Sequence, residues 1–200
     1  MGMSRWKPDA QTRLVQAALE LYGERGFEQT TVAEIAQRAG LTERTYFRHF
    51  ADKREVLFGG STVFEETLIH AIANAPDVAT PIDAVVVGLD AVAEAMFPPE
   101  RHDYARRRQA AIMANAGLQE REQSKFASLV AALVVALGQR GVDEPTARLT
   151  AEVGVVIFKV AFERWVDGDQ HLDLSQLIQE SLRDVRGVTA GEGSAVGAAA

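Results

Sequence analysis

The chain of 200 residues predicts an all-α fold, and three observations carry that prediction. Apolar residues recur at three- and four-residue intervals along most of its length, the period of a helix with one buried face. Capping residues and glycine or proline stops fall where those runs begin and end. No alternating strand pattern, hairpin dipeptide or internal repeat interrupts them. About nine helices are expected: a short helix-turn-helix unit of three at the N-terminal end, then a longer helical portion.

Residues 1–8 read as an arm, in which Arg5 and Lys7 either touch phosphate or are simply solvated. From Asp9 to Arg25, Leu14, Ala17, Ala18, Leu21 and Tyr22 mark one face of an amphipathic helix. Gly26 ends it and Phe27 tucks back. Thr31 and Glu34 form a capping box, which satisfies exposed backbone donors at the start of a second helix. Ile35 and Ala39 continue its buried face. Gly40 then stands where a left-handed turn is needed, a conformation glycine adopts without steric cost. Thr42 opens the third helix. Asp52 with Glu55 makes another capping box and opens a fourth, expected from Asp52 to Asn74, with Val56, Val63, Phe64, Leu68, Ala71 and Ile72 inward. Gly59-Gly60 inside it costs about 1 kcal/mol per glycine relative to alanine. Two readings fit the pair: a bend at the border of the N-terminal unit, or close packing against a neighbouring helix.

Helix, glycine turn, helix is the layout in which the second helix of the pair enters the major groove of DNA. The third helix carries suitable side chains. Thr42, Glu43, Arg44, Thr45 and Arg48 are polar and are expected outward, with Phe47 and Phe50 inward. Thr42, Arg44 and Arg48 are the candidates for base edges, arginine to guanine being the commonest specific contact. Glu43 is a candidate acceptor from cytosine or a solvated glutamate. Tyr46 and His49 carry donors suited to phosphate oxygens, and Thr31 and Thr45 stand near the same surface. Lys53 falls in the expected first turn of the fourth helix, where the dipole disfavours a cation unless a phosphate docks there too.

The rest of the chain is helical by the same criteria. Thr80 and Pro81 open a fifth helix with proline at its first position, and its apolar residues run from Ile82 to Phe97. Pro98-Pro99 stops it. A sixth spans Glu100 to about Ala116 and carries Arg106-Arg107-Arg108. A seventh, Leu118 to Arg140, buries Phe126, Leu129, Val130, Leu133, Val134 and Leu137, and Gly141 ends it. An eighth runs from Asp143 to Val166. Leu149, Val153, Val155, Val156, Ile157, Val160, Ala161, Phe162 and Trp165 make it apolar nearly all round, so it must be covered on more than one side. The ninth, Leu174 to Val185, has one apolar face. In a chain this short a second copy is the natural extra cover, two helices from each subunit making a four-helix bundle. Residues 187–200 lack any packing pattern and are expected to be a disordered tail.

Composition narrows the function classes. At 47% hydrophobic the chain can bury a core, and without cysteine it has neither disulfides nor thiolate chemistry. No apolar run reaches the roughly 18 residues of a membrane span, and the N-terminus lacks a signal-peptide stretch, so a cytoplasmic protein without membrane contact is expected. The net charge is −7, yet residues 1–58 hold nine Lys/Arg against eight Asp/Glu. The remaining body is acidic, which repels DNA and helps orient an approach. No H-E-x-x-H, phosphate-binding glycine loop or G-x-S-x-G is present, and His49, His70, His102 and His171 are scattered without metal-ligand spacing. Neither enzyme activity, a metal nor a cofactor is expected.

The stretch G-L-T-x-x-T-Y-F-R-H-F-x-x-K-x-x-V-L, preceded by E-R-G-F and T-T-V-x-x-I-A, resembles the DNA-binding signature of the TetR family of one-component bacterial regulators. The match runs over about residues 10–58 and departs at Thr45, where the family more often has an aliphatic residue. The resemblance implies a DNA-binding domain over 1–57 and an effector-binding and dimerisation domain over 58–186. It implies a homodimer through the helices at about 143–166 and 173–186, acting on a double-stranded operator as a repressor released by a small hydrophobic effector. It places that effector among helices five to eight, with Met96, Phe97, Tyr104, Met113, Phe126, Phe158, Phe162 and Trp165 as candidate lining. Asn115, His102 or one of Arg106 to Arg108 would supply a polar contact; an anion there would point to acidic lipids or thioesters. The alternative for the arginines is a structural ion pair with Glu120, Glu122 or Glu152. The alternatives for the whole protein are an interaction module that has lost DNA binding, and a small helical enzyme using the pocket.

Overall fold

The computed structural model describes residues 9–168 and 172–191. Arg5, Lys7, His171 and the tail from 192 onward lie outside the described residues. Among the described residues there are nine α-helices and no strand, and no helix is long and apolar enough to cross a membrane. They divide into two compact units, one of residues up to Thr62 with Arg106–Lys125, the other of Val63–Ala105 with the residues from Phe126 onward.

The first unit holds α1 (Ala10–Arg25), α2 (Val32–Arg38) and α3 (Glu43–His49). Asp9 caps α1 by accepting from Thr12 N at 2.7 Å. The buried residues of α1 are those the periodicity picks out, Leu14, Ala17, Ala18, Leu21 and Tyr22, with Leu19 added. Both halves of the Thr31–Glu34 capping box are formed. Gly40 has φ +64°, which lets Leu41 N reach back to Ala36 O at 2.8 Å and close α2. Arg13, on α1, donates to the carbonyls of Ala39 and Gly40 and holds that turn against the supporting helix.

The fourth helix differs from expectation. Residues Asp52 to Asn74 do not form one helix: a single 3-10 turn, Glu55–Leu57, precedes α4, which runs from Ser61 to Ala73. Asp52 still caps, accepting from Arg54 N and Glu55 N. The reciprocal half of that box is missing because the Glu55 carboxylate pairs instead with Arg121 and Lys125. Of the two readings of Gly59-Gly60, the structure contains both. The helix is interrupted there, and a Cβ on Gly59 would stand 2.9 Å from the Phe50 ring.

The second unit packs α5 (Pro81–Met96), α8 (Glu144–Asp167) and α9 (Leu174–Ala190) against one another, with most of α4 and the later part of α7 (Ala116–Gln139) completing its core. Thr80 caps α5, with Pro81 at its first turn, and Asp143 caps α8. The expected sixth helix is a 3-10 turn, Pro99–Arg101, followed by α6, His102–Met113. α9 extends to Ala190 and is closed by Gly191 in the left-handed conformation. Residues 187–190, expected in the disordered tail, are therefore helical. The arginine that follows α7 has a use that no local pattern announces: Arg140 donates to Ile72 O, Ala75 O and Pro76 O at 2.9–3.0 Å, adding to the backbone bonds that Ile72 O and Pro76 O already accept and pairing the Ala75 carbonyl past the end of α4.

Candidate nucleic-acid interface

The candidate surface is built by α2, its glycine turn and α3, all within the first unit. Thr42 Oγ1 accepts from Thr45 N at 3.2 Å and so caps α3; it also shares a 3.1 Å hydrogen bond with Thr45 Oγ1. The helix is fixed from below by Tyr46 and Phe50, which are 0% and 3% exposed, and their rings lie 5.4 Å apart. That fixes which residues face outward. Thr31, Thr42, Glu43, Arg44, Arg48 and His49 are exposed, and Thr45 is half-buried. Arg48 and His49 approach each other at 3.5 Å. The hydroxyl and backbone N–H of Thr31 hold the Glu34 carboxyl below the usual carboxylate range, so at neutral pH it stays charged, paired with Arg25 at 2.9 Å. Arg38 is likewise occupied by Glu20 and Glu24. Arg44 has no such acidic neighbour among the described residues. Its guanidinium is available where arginines paired within the unit are not.

Two predicted site residues are placed otherwise. Tyr46 is not on the surface: its hydroxyl donates to Asp52 O at 3.1 Å, and burial pushes its ionisation up, out of the normal range. A side chain needed to fill the space between α3 and the support cannot also reach a phosphate. Phe47, expected inward, is 54% exposed instead. Lys53 is not in the first turn of a helix, so the argument from a helix N-terminus does not apply to it. Its ammonium donates to Phe27 O at 2.8 Å and sits 4.0 Å from the Phe27 ring centre. With Tyr22, whose hydroxyl donates to Lys53 O at 2.9 Å, it ties the 50–54 turn to the end of α1.

The segment 106–125 braces the same unit. Arg108 donates to Leu57 O at 2.8 Å and pairs with Glu122 at 3.3 Å. Of the two readings of the arginine triplet, the structural ion pair is the one present for Arg108. Asn115 donates to Glu28 at 2.9 Å and accepts from Leu118 N, which makes it the cap of α7. Arg108 and Asn115, two of the residues named as polar effector contacts, thus have structural partners.

In the second unit the predicted lining falls partly together. Phe97, Phe126, Phe158, Phe162 and Trp165 form one aromatic cluster, with neighbouring ring centres 5.3–6.5 Å apart, and Met96 packs against the same core. Phe64, not among the predicted lining, joins it 5.1 Å from Phe158. His102 closes one end, its ring 5.0 Å from Trp165 and its Nε2 2.9 Å from Trp165 O. Tyr104 lies outside the ring cluster, beneath the Arg101 guanidinium at 5.8 Å. Met113 belongs to the first unit and is 61% exposed. The resemblance placed the lining among helices five to eight but could not sort those two from the rest.

Comparison with known proteins covers both units. Residues 14–58 match the family model described as bacterial regulatory proteins, tetR family, and residues 79–190 match the MftR C-terminal domain model of the same family. The HTH-type transcriptional regulator TcmR of Streptomyces glaucescens is 37% identical over 73 residues, a match spanning 36% of this chain and about a third (32%) of that regulator's length. Among solved structures, a putative transcriptional regulator from Pseudomonas aeruginosa PAO1 aligns with TM-score 0.60 at 19% identity, covering 94% of each chain. NalD, the secondary repressor of the MexAB-OprM efflux pump in the same species, aligns with TM-score 0.56 at 18% identity, covering 87% of this chain and 94% of its own. FadR from Bacillus subtilis, solved with stearoyl-CoA, aligns with TM-score 0.55 at 21% identity, covering 86% and 95%. At these identities the solved structures establish the shared fold.

Proposed function

The chain belongs to the TetR family of bacterial regulatory proteins and is a DNA-binding transcriptional regulator, and on that premise we propose that it acts as a homodimeric repressor released from a pseudo-palindromic operator by a small hydrophobic effector. The relatives are regulators rather than enzymes. The observation that carries the reading is the capped α3 with Thr42, Arg44 and Arg48 exposed above a buried Tyr46–Phe50 base. In this reading α3 enters the major groove. Arg44 and Arg48 face base edges, Thr42 and Thr45 stand at the entry, and Thr31 and His49 contact phosphate. Lys53 and Tyr46 position the helix instead of touching DNA.

One seven-residue helix offers too few contacts for a specific site, so two are needed, in successive major grooves about 34–36 Å apart. The second copy has a surface to use: Leu149, Val156 and Val160 on α8 are 68%, 51% and 41% exposed. Their spacing aligns them along one side of the helix, opposite the face buried against α5 and α9. The effector is assigned to the aromatic cluster. Its rings touch one another, so a ligand enters by parting them, and the energy of that rearrangement is available to shift α4 and the spacing of the two readers. Its leverage equals its difference in affinity between the two states, typically about 1–3 kcal/mol. A long-chain acyl thioester, the ligand class held by the B. subtilis fold relative, belongs in the first screen.

The test is a titration of the protein against DNA from upstream of its own gene, with and without each candidate effector. The expected result is a shifted complex that an effector weakens by about 5- to 150-fold. Equal affinity with every hydrophobic effector removes the induction mechanism. Absence of any complex removes the self-regulating repressor.

A further inference from the structure

The reading helix carries a large apolar ring that the fold leaves outside. Phe47 is 54% exposed, while Tyr46 beside it is fully buried. Residues three and four apart share a face of a helix, so Arg44, Phe47 and Arg48 lie on one side of α3, and all three are exposed. The ring is not loose: its edge stands against the buried Tyr46 ring, with centres 5.6 Å apart and planes at 78°. A phenyl group has no hydroxyl to offer a phosphate, and it adds nothing to electrostatic attraction. Yet the two guanidiniums beside it would bring it to the anionic major groove. That groove presents one apolar feature, the 5-methyl group of thymine, which side chains such as phenylalanine recognise by contact.

Resting on the reading of α3 as the element that enters the groove, we propose that Phe47 is a specificity-determining residue that reads the 5-methyl of a thymine in each half-site. Arg44 and Arg48 supply attraction and hydrogen bonds, and Phe47 supplies the largest apolar side chain that α3 exposes.

The test begins with duplexes enriched from a random pool by the wild-type protein. The enriched site is resynthesised with deoxyuridine in place of thymine, one position at a time, which removes only the methyl group. One thymine per half-site should then show a loss of about fourfold in affinity, the factor for one methyl-sized apolar group returned to water. In Phe47→Ala the thymine and deoxyuridine duplexes should bind alike. Because the side chain is exposed the variant should keep its far-UV circular dichroism, and it should retain the wild-type salt dependence on unrelated DNA. The proposal is overturned if no thymine is sensitive in the wild type, or if the penalty survives in Phe47→Ala. A pool that yields no enriched duplex overturns the groove-reading role of α3 itself, and this proposal with it.

Discussion

Tyr46 and Phe47 are adjacent in sequence and occupy opposite environments, and the difference between them organises the reading surface. Adjacent helix positions are about 100° apart, so two neighbouring rings cannot both face the support. The sequence does not say which one does. The i, i+4 pairing of Tyr46 with Phe50 was the available signal, since those two must share a face; only packing against α1 and α2 decides that this face is the buried one. Tyr46→Phe is therefore expected to cost about 1 kcal/mol of folding stability by removing the hydrogen bond to Asp52 O, with no change in the salt slope of DNA binding. A changed salt slope would return Tyr46 to the phosphate contacts. Arg44→Ala should lose about 1–3 kcal/mol of discrimination at one base pair, measured as the ratio of specific to unrelated duplex affinity; an unchanged ratio would take Arg44 off the base edges. In the second unit Asp90 has its carboxyl pushed up chiefly by burial between α5 and α9, against the opposing hydrogen bond that Gln179 donates to it at 2.7 Å. A carboxyl raised in the folded state contributes stability below its unfolded value and loses it as pH rises through the folded one. Asp90→Asn should accordingly remove that loss, so that its thermal midpoint gains on that of wild type as pH rises from below the ordinary aspartate range to neutral. Equal slopes would show that Asp90 is not the group responsible.

At the scale of elements, caps were the most legible feature. Thr31, Thr42, Thr80 and Asp143 each accept the backbone hydrogen bond expected of them, because a cap depends only on residues within one turn. The fourth helix was misjudged because its interruption depends on distant partners. Glu55 is drawn to Arg121 and Lys125, and Gly59 meets the Phe50 ring. A periodicity count sees neither. Arg140 was illegible for the same reason, its three carbonyl partners lying more than sixty residues away. Arg140→Ala should destabilise the protein by about 1–3 kcal/mol, since it leaves the part-buried Ala75 carbonyl unpaired, and chemical denaturation would measure it. A loss within error would mean that water replaces the guanidinium at the end of α4. Gly154 is a second such place: a Cβ there would stand 2.6 Å from Val85 Cγ1, so α8 and α5 approach as closely as they do only because that position has no side chain.

For the molecule as a whole, the apolar excess on α8 was visible as composition, and the structure sorts it into two faces. One is buried with α5 and α9; the other shows Leu149, Val156 and Val160 to solvent. Val156→Glu should leave the helical content intact and convert the dimer to a monomer in sedimentation experiments, because a charge in a covered apolar face has no partner. A dimer that persists would move the interface elsewhere. The aromatic cluster was legible residue by residue, through Phe97, Phe126, Phe158, Phe162 and Trp165, but whether it parts for an effector is a property of two states and not of one. The central claim, a paired reader built on α3, is tested most directly by enriching random duplex DNA on the purified protein at fixed salt. The predicted result is a site of two inverted half-sites with centres about 34–36 Å apart, whose enrichment Arg44→Ala abolishes. Recovery of no sequence, or of a single unrepeated motif indifferent to Arg44, would contradict it.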